Sequence, residues 1–202
     1  MSKQNIGVCS FKDTPVGDNV VVLNVTSRSK TWHRCFSPFL LGPVLLMDTR
    51  GIIAAENVEN AWQYSKVYPE HIDENGNIKE SYYGWRIDGW EKEEAVRYPM
   101  GKNIKPLYSL LGMTKLDYIE ARKAIYVPIY TDTVLRSQYY KEYHFEKLVK
   151  ECKDLINQGK EIYLWDFDVE RGETLESILD NPNKKLGHAY ILADMVNKAL
   201  AN

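Results

Sequence analysis

The chain has 202 residues, of which 44% are hydrophobic and 27% charged, a composition typical of one globular domain. This balance excludes general intrinsic disorder, and the formal net charge of −2 excludes a protein that coats nucleic acid through a strongly basic surface. The longest apolar stretch, residues 39–47, is too short to span a bilayer. The N-terminal residues lack the apolar core of a signal peptide, so we expect a cytoplasmic protein without a membrane partner.

Extended runs precede the first clear helix of the chain. A β-branched run predicts a strand over residues 19–25, and an apolar run predicts an extended segment over 39–47. The clearest helix is predicted over residues 58–68, because Asn57 is a favourable N-cap and Pro69 ends the helix.

Helices and strands alternate in the rest of the chain. Residues 81–90 combine four aromatic rings with two glycines and predict an ordered loop. Further helices are predicted over residues 91–97, 116–124, 144–158 and 186–200. Extended segments are predicted over 125–130 and 161–167. We therefore expect an α+β fold, a single compact domain over residues 1–202 with a helical middle and a small C-terminal α/β unit.

Side chains of complementary chemistry share one face of the predicted helix over 58–68. Glu59, Gln63 and Lys66 stand at positions i, i+4 and i+7. Trp62 lies at the edge of this stripe. An amine with a lowered pKa attacks a sugar aldehyde, while a carboxylate moves protons at the leaving group, so the pattern indicates chemistry at a glycosidic carbon. The macrodipole of an exposed helix favours the same acidic and basic positions without a substrate, and both interpretations stay open.

The segment 58–66 (VENAWQYSK) resembles the V-E-H-Y-Y-Q-A-x-K core of the NADAR family, also called YbiA-like, whose members act on N-glycosidic bonds. The residues that match in type and spacing are Val58, Glu59, Gln63 and Lys66. Phe36 and Ser37 lie upstream, where the family carries a loop of the S-N-F-Y type. Asn60 stands where the family has a histidine, and the family's C-terminal W-G-x-G signature is not found.

The resemblance implies an enzyme, an N-glycosidase that acts as a hydrolase without a cofactor. It implies Glu59 as the essential carboxylate, Lys66 as the amine that forms a transient sugar adduct, and Gln63 as a positioning group. The implied substrate is a nucleotide-like small molecule or an ADP-ribosylated guanine base.

A second hypothesis is a non-catalytic accessory protein that binds a nucleotide or a partner and sequesters a ligand or a host factor. Asn60 in place of the family histidine favours this alternative. The composition is typical of small phage-encoded proteins, which would place the chain in the host cytoplasm. A nucleic-acid-binding accessory protein is disfavoured by the net charge unless residues 97–105 form a basic patch with the tryptophans.

Further residues are predicted to surround this centre and bind the substrate. The predicted substrate-binding set is Trp62, Phe36, Ser37, Trp85, Trp90, Arg97, Lys102, Asp166 and His188. The tryptophans suit base stacking or core packing, and the two cations suit a diphosphate or a solvated loop. Asp166 ends a predicted strand and His188 opens a predicted helix, which are positions of ligand sites but also of ordinary turns and caps.

Metal ligation is not predicted. His33 and Cys35 lie close in sequence, but no other residue has the spacing that a zinc site needs. The three cysteines are widely spaced and predict free thiols in a reducing compartment.

Overall fold

The computed structural model describes three stretches of the chain, residues 6–48, 51–136 and 144–202. Helices and strands both contribute to the fold, which confirms the predicted α+β class. The chain divides into two compact units. Unit 1 holds the described residues within 1–37 and 130–202, and unit 2 holds those within 38–129. The expectation of a single domain stays a prediction.

Strands and helices are interspersed along the described residues. The strands are β1 Ile6–Cys9, β2 Val20–Asn24, β3 Val44–Asp48, β4 Gly51–Ala55, β5 Lys66–Val67, β6 Tyr108–Leu111, β7 Thr114–Leu116 and β8 Glu161–Trp165. The α-helices are α1 Val58–Gln63, α2 Glu80–Trp90, α3 Tyr118–Ala121, α4 Val127–Arg136, α5 His144–Asn157, α6 Leu175–Leu179 and α7 His188–Ala201. Short 3-10 helices cover Trp32–Phe36 and Pro69–His71, and a π-helical turn covers Arg122–Tyr126.

Unit 1 is built around a parallel sheet in the order β1-β8-β2. β8 pairs with both neighbours, so that Trp165 lies opposite Cys9 on one side and Asn24 on the other. The strand is apolar because a central parallel strand is covered on both faces, and its Ile162 and Leu164 are buried. The predicted strands over 19–25 and 161–167 and the predicted helices over 144–158 and 186–200 are therefore confirmed. β1 was not predicted, because its four residues carry no alternating pattern.

Unit 2 contains a hairpin, β3-β4, and an antiparallel sheet in the order β5-β6-β7. A cluster of Val67, Tyr82 and Leu110 forms a buried core between α2 and this sheet. The middle of the chain is therefore mixed α and β, with strands that the expectation of a helical middle did not include.

Several predicted elements of unit 2 are wrong. Residues 81–90 form helix α2 instead of a loop. Residues 91–97, all within the described part of the chain, form no helix. Residues 125–130 are helical instead of extended. Pro128, which suggested a strand edge, lies in the first turn of α4 directly after the π-helical turn, where a missing backbone N–H is tolerated.

Candidate functional site

The candidate site is built on α1, a six-residue helix whose side chains are all buried. Asn57 caps the helix, because its Oδ1 accepts a hydrogen bond of 2.8 Å from the backbone N–H of Asn60. The N–H of Glu59 donates to the carbonyl of Pro38 at 2.9 Å, so the preceding loop satisfies a second group of the first turn. Burial of a short helix that carries Glu59 and Gln63 requires polar partners for both side chains.

The side chains of Glu59, Gln63 and Lys66 form a continuous line of hydrogen bonds. The Nε2 of Gln63 donates to the Oε1 of Glu59 at 2.9 Å, and the Nζ of Lys66 donates to the Oε1 of Gln63 at 2.7 Å. Glu59 is 6% exposed and Gln63 is 7% exposed, so the line is buried except at the half-buried lysine. We call these three residues, together with Trp62, the α1 cluster.

The cluster does not arise from one helical stripe, and the predicted helix over 58–68 is wrong in its second half. α1 ends at Gln63, and Lys66 opens strand β5, where it pairs with Ser109. The backbone changes course at Ser65, whose Oγ donates to the carbonyl of Trp62 at 2.8 Å. The sheet then takes the hydrogen bonds that a longer helix would have used. Helix α1 thus supplies the acid and the amide, strand β5 supplies the amine, and the three groups lie together.

Lys66 has an environment that disfavours its charged form. Burial lowers the pKa of the Lys66 amine to about 8; the carboxylate of Glu59 opposes this shift, and the positive charge of Arg97 adds to it. At pH 7 about 10% of such an amine is neutral, against about 0.03% of a lysine with the ordinary pKa of 10.5. The Nζ also lies 4.6 Å from the centroid of the Trp62 ring, which stabilises the remaining positive charge.

Trp62 provides a flat apolar wall beside the amine. It is 9% exposed, and its ring packs against Tyr126 with a centroid separation of 5.3 Å. The aromatic contact holds the ring in one orientation, so that one face is directed at Lys66. Trp62 therefore lies beside the Lys66 amine, although the two residues belong to different elements and not to one helical stripe.

Asn60, which stands where the NADAR pattern has a histidine, belongs to the region of the candidate site. It is 0% exposed. Its Nδ2 donates to the carbonyls of Lys92 and Glu94, at 2.8 and 3.1 Å, and its Oδ1 accepts from the N–H of Val96 at 2.8 Å. One side chain therefore fixes the segment 92–96, which precedes Arg97. The sequence offered one sign of this role. Asparagine readily forms hydrogen bonds with backbone groups, and here it stands at a helix position where an apolar residue would be expected.

The two predicted stacking tryptophans pack within unit 2, where Trp90 is buried and Trp85 is half-buried against the core. Trp85 lies 4.3 Å from the ring of His71 and 4.7 Å from the ring of Tyr64, centroid to centroid. Trp90 is buried beneath the guanidinium of Arg86, 4.5 Å from its ring centroid. These contacts favour the core-packing interpretation that the sequence left open for both residues.

The remaining predicted residues lie in other parts of the structure. Arg97 and Lys102 are exposed residues of unit 2, and Arg97 is near enough to Lys66 to affect its pKa. The predicted residues that belong to unit 1 are Phe36, Ser37, Asp166 and His188. Phe36 and Ser37 are buried, and the Phe36 carbonyl accepts a hydrogen bond of 2.8 Å from the Tyr130 hydroxyl.

Asp166 and His188 form a buried ion pair at the carboxyl end of β8. Their Oδ2 and Nδ1 atoms lie 2.9 Å apart, and the other ring nitrogen of His188 lies 3.0 Å from the carbonyl of Val25. A carbonyl only accepts, so the ring donates there, and the carboxylate accepts from the second nitrogen. Burial acts to raise the pKa of Asp166, but the charge and hydrogen bond of His188, together with the backbone N–H groups of Phe167 and Ala189, outweigh it and hold the pKa below its usual value. We interpret the pair as a structural link between β8, α7 and the end of β2.

The described residues contain no cluster of three or more histidine, cysteine, aspartate or glutamate side chains with the convergence of a metal site. His33 instead shares its ring nitrogens between Thr31 at 2.8 Å and Glu151 at 3.0 Å. Cys9, Cys35 and Cys152, which all lie within the described stretches, form no disulfide.

None of the helices within residues 6–48, 51–136 and 144–202 combines the length and the hydropathy that a bilayer crossing requires. No curated protein and no solved structure matches the chain. Residues 12–192 match the pattern of DUF6939, described as a family of unknown function. The match covers most of the chain, and the protein therefore belongs to the DUF6939 family.

Proposed function

We propose that the protein is an N-glycosidase that hydrolyses the bond between a ribosyl group and a base, in a nucleotide-like molecule or an ADP-ribosylated guanine. One observation carries the proposal, the buried line from Glu59 through Gln63 to Lys66. Such a reaction needs an amine that attacks the anomeric carbon and an acid that transfers protons to the leaving base, and the Gln63 amide holds both groups. The resemblance of residues 58–66 to the NADAR core supports the same chemistry.

The proposed reaction begins with the neutral form of Lys66. Its Nζ lone pair forms a bond to the anomeric carbon, and the carbon–nitrogen bond to the base breaks with its electron pair leaving on the base nitrogen. The proton lost by Nζ passes to the leaving base, with Glu59 as the group that accepts and returns it. As the sugar ring of the adduct opens to a protonated Schiff base, the ring oxygen takes a proton from water, and a second water hydrolyses the Schiff base, which releases the sugar, returns that proton and regenerates the amine. The net change is the hydrolysis of one N-glycosidic bond.

The first test is release of ADP-ribose from ADP-ribosyl-guanosine, followed by liquid chromatography. Glu59→Gln and Lys66→Met are each expected to lower the rate at least ~100-fold, because each removes a group that acts in the transition state. Glu56→Gln and Lys115→Met, which change exposed residues of the same unit, are expected to retain the wild-type rate. Wild-type rates in both site variants would refute the proposed roles.

A second test looks for the covalent adduct. Borohydride added during turnover reduces a Schiff base to a stable secondary amine, so the peptide that contains Lys66 should gain the mass of the sugar moiety. The adduct should form faster as the pH rises through about 8, because deprotonation creates the nucleophile. Product formation without any labelled Lys66 would exclude covalent catalysis and leave hydrolysis by an activated water.

A non-catalytic nucleotide-binding protein is the second candidate. It is favoured by Asn60, whose side chain is fully engaged with the segment 92–96 and supplies no titratable proton where the NADAR pattern has histidine. A retained nucleotide in native mass spectrometry, without product after prolonged incubation, would establish this alternative over turnover.

A further inference from the structure

Unit 1 contains a second line of hydrogen-bonded side chains, which joins a hydroxyl, an imidazole and a carboxylate. The Oγ1 of Thr31 lies 2.8 Å from the Nδ1 of His33, and the Nε2 of His33 lies 3.0 Å from the Oε2 of Glu151. His33 lies in the 3-10 helix Trp32–Phe36, which Thr31 precedes, and Glu151 lies on α5. The fold therefore brings together His33 and Glu151, which are 118 positions apart in the chain.

The partners of His33 determine which of its ring nitrogens carries the proton. A carboxylate only accepts hydrogen bonds, so the Nε2 of a neutral His33 donates to Glu151. The Nδ1 then carries the lone pair and accepts the hydrogen of the Thr31 hydroxyl. A hydroxyl is activated as a nucleophile by this arrangement, because a base faces its proton and a carboxylate holds the ring in the required tautomer.

The hydroxyl of Thr31 is not used as a helix cap. Thr31 is the N-cap residue of the 3-10 helix that follows it, yet its side chain caps no N–H among the described residues. Its single hydrogen is directed at His33, so Ser29, whose Oγ lies 3.0 Å away, is the donor in the contact between the two hydroxyls. Thr174, the N-cap of α6, shows the ordinary use, because its Oγ1 accepts from the N–H of Ser177 at 3.2 Å.

The base of this line is buried, whereas the hydroxyl that it faces is not. Thr31 is exposed, and the side chain of His33 is 6% exposed. The ring of Trp32 stacks on the His33 ring with a centroid separation of 4.3 Å and covers one face of it. The imidazole is thus held in place, and the Thr31 hydroxyl remains accessible to a substrate.

A groove of unit 1 lies beside the same residues. Trp32 and Glu151 line it together with residues of α5 that include Lys147 and Leu155, and its volume is about 460 Å³. Sites of this size bind small molecules. The Nζ of Lys147 lies 4.3 Å from the centroid of the Trp32 ring. A ligand in the groove meets an aromatic wall, an aliphatic side chain and a cation, which together suit a small ester with an aromatic group.

We propose that Thr31, His33 and Glu151 form a catalytic triad that hydrolyses small aromatic carboxylic esters. Thr31 is the nucleophile and His33 the general base, while Glu151 is a positioning residue that acts through the His33 ring. The site belongs to unit 1, and the activity is additional to the proposed N-glycosidase reaction, whose groups belong to unit 2.

The proposed reaction has two steps. In the first step, the Thr31 Oγ1 forms a bond to the ester carbonyl carbon, and its proton passes to the Nδ1 of His33. The bond from that carbon to the alcohol oxygen breaks, and the alcohol leaves with the electron pair and takes the proton from His33. In the second step, His33 removes a proton from water, and the resulting hydroxide attacks the acyl group on Thr31. The carboxylic acid leaves, and the Thr31 oxygen regains its proton from His33.

The first test labels the nucleophile with a fluorophosphonate. The Thr31 oxygen displaces fluoride from phosphorus while His33 takes the hydroxyl proton, so the peptide that contains Thr31 gains the mass of the phosphonyl group. Thr31→Ser should still be labelled at this position, whereas Thr31→Val, which replaces the hydroxyl with a methyl group of similar size, should not. Absence of the label from wild type, or its presence on another residue, overturns the proposal.

The second test follows the hydrolysis of 4-nitrophenyl butyrate by absorbance. Thr31→Val and His33→Gln should each lower kcat at least ~100-fold, because each removes a group that acts in the transition state. Wild-type rates in both variants would refute the triad. If His33→Gln does not fold, Thr31→Val decides the question, since it preserves the side-chain volume.

The role of Glu151 is tested through the tautomer that it imposes. Glu151→Leu leaves the Nε2 of His33 without its acceptor, so the ring proton should move to Nδ1 and face the Thr31 hydroxyl. The ¹⁵N chemical shifts of the ring report this exchange, and kcat should fall at least ~10-fold with it. A merely structural glutamate would lower the thermal midpoint and leave the tautomer and kcat as in wild type.

Two matched variants separate catalysis from stability. Thr174→Val removes a threonine hydroxyl that caps a helix of the same unit, and Glu146→Leu removes an exposed carboxylate of α5. Both should retain the wild-type rate and the label on Thr31, and a loss as large as that of Thr31→Val would show that general destabilisation explains the results. Failure of the N-glycosidase tests would refute the proposed function without changing any of these outcomes.

Discussion

At the scale of single residues, the amine of Lys66 is the group of the α1 cluster whose burial costs the protein stability. A lysine that is buried beside a single carboxylate loses hydration that its partners do not fully replace, and the lowered pKa is the measure of that deficit. The hydrogen bond to Gln63 and the ring of Trp62 reduce the deficit without removing it. A buried amine whose lowered pKa costs stability is typical of sites where reactivity is needed.

The lowered pKa of Lys66 predicts that the free energy of unfolding depends on pH through the titration of this amine. Because the folded-state pKa is about 8 and the unfolded value is 10.5, the unfolded chain binds more protons between these values, and stability rises with pH across that window. The free energy of unfolding of wild type relative to Lys66→Met should therefore increase by up to about 3 kcal/mol from pH 7.5 to 10.5. Urea denaturation of both proteins along this pH series provides the measurement.

The control for that series is Lys115→Met, which removes an exposed amine of the same unit and should differ from wild type by less than about 0.5 kcal/mol at pH 7.5. A difference in the free energy of unfolding between wild type and Lys66→Met that stays constant with pH would contradict the lowered pKa of the amine.

The pairing of Glu59 with Gln63 follows from their i, i+4 spacing on α1, whereas Lys66 joins them from strand β5 and not from the helical stripe that its spacing predicted. The role of Asn60 was not predictable, because its partners are backbone groups about 32 to 36 residues away, and backbone groups carry no sequence signal. Arg97 was predicted either to bind a diphosphate or to belong to a solvated loop, and its side chain is exposed in the structure. Long-range contacts such as those of Asn60 follow from the fold and not from local pattern.

At the scale of elements, α2 shows how packing overrides local propensity. Its two glycines suggested a loop, since glycine weakens a helix by about 1 kcal/mol relative to alanine. A Cβ at Gly89 would lie 1.9 Å from a ring carbon of Tyr64, so the helix requires glycine there to approach that ring. A Cβ at Gly84 would meet nothing within 4 Å. The same residue type thus has a packing function at one position of the helix and none at the other.

This difference predicts opposite effects for two alanine substitutions in one helix. Gly89→Ala should destabilise the protein by about 1–3 kcal/mol, because the added methyl group displaces the Tyr64 ring from its contact with Trp85. Gly84→Ala should stabilise it by up to about 1 kcal/mol through helix propensity alone. Thermal or urea denaturation followed by circular dichroism measures both, and equal effects of the two substitutions would contradict the packing explanation.

The elements predicted correctly are those whose own sequence dictates them. α5 and α7 have apolar residues at helical spacing, and β2 and β8 are apolar runs that a parallel sheet buries. Helix α2 and the helical residues 125–130 were not predicted, because glycine and proline disfavour a helix when only the neighbouring residues are considered. The Tyr64 ring and the π-helical turn, which accommodate them, belong to the folded structure. The end of α1 was missed because β5 competes for the same backbone groups.

At the scale of the whole molecule, unit 1 joins the two ends of the chain in one sheet. β1 and β2 come from the first residues, and β8 enters between them from the last quarter of the chain. The Asp166–His188 pair lies where these segments meet, and its contact with the Val25 carbonyl spans 163 residues of sequence. A contact of such separation requires the closure of a long loop, which costs conformational entropy.

The buried Asp166–His188 pair is expected to make the stability of the protein depend on pH. Asp166→Asn leaves the His188 ring buried without its counter-charge, and should destabilise the protein by about 3 kcal/mol at pH 7. Because the folded-state pKa of Asp166 is lowered, the stabilisation that it gives is present above its unfolded value near 3.8 and is lost as the pH falls through the lower folded value. The difference from wild type should therefore shrink below pH 4. Asp168→Asn, two residues along, breaks a pair with the exposed Lys185 and should cost less than about 1 kcal/mol. Urea denaturation from pH 7 to 3 checks both variants, and an equally small effect of Asp166→Asn would mean that the buried pair does not hold β8 and α7 together.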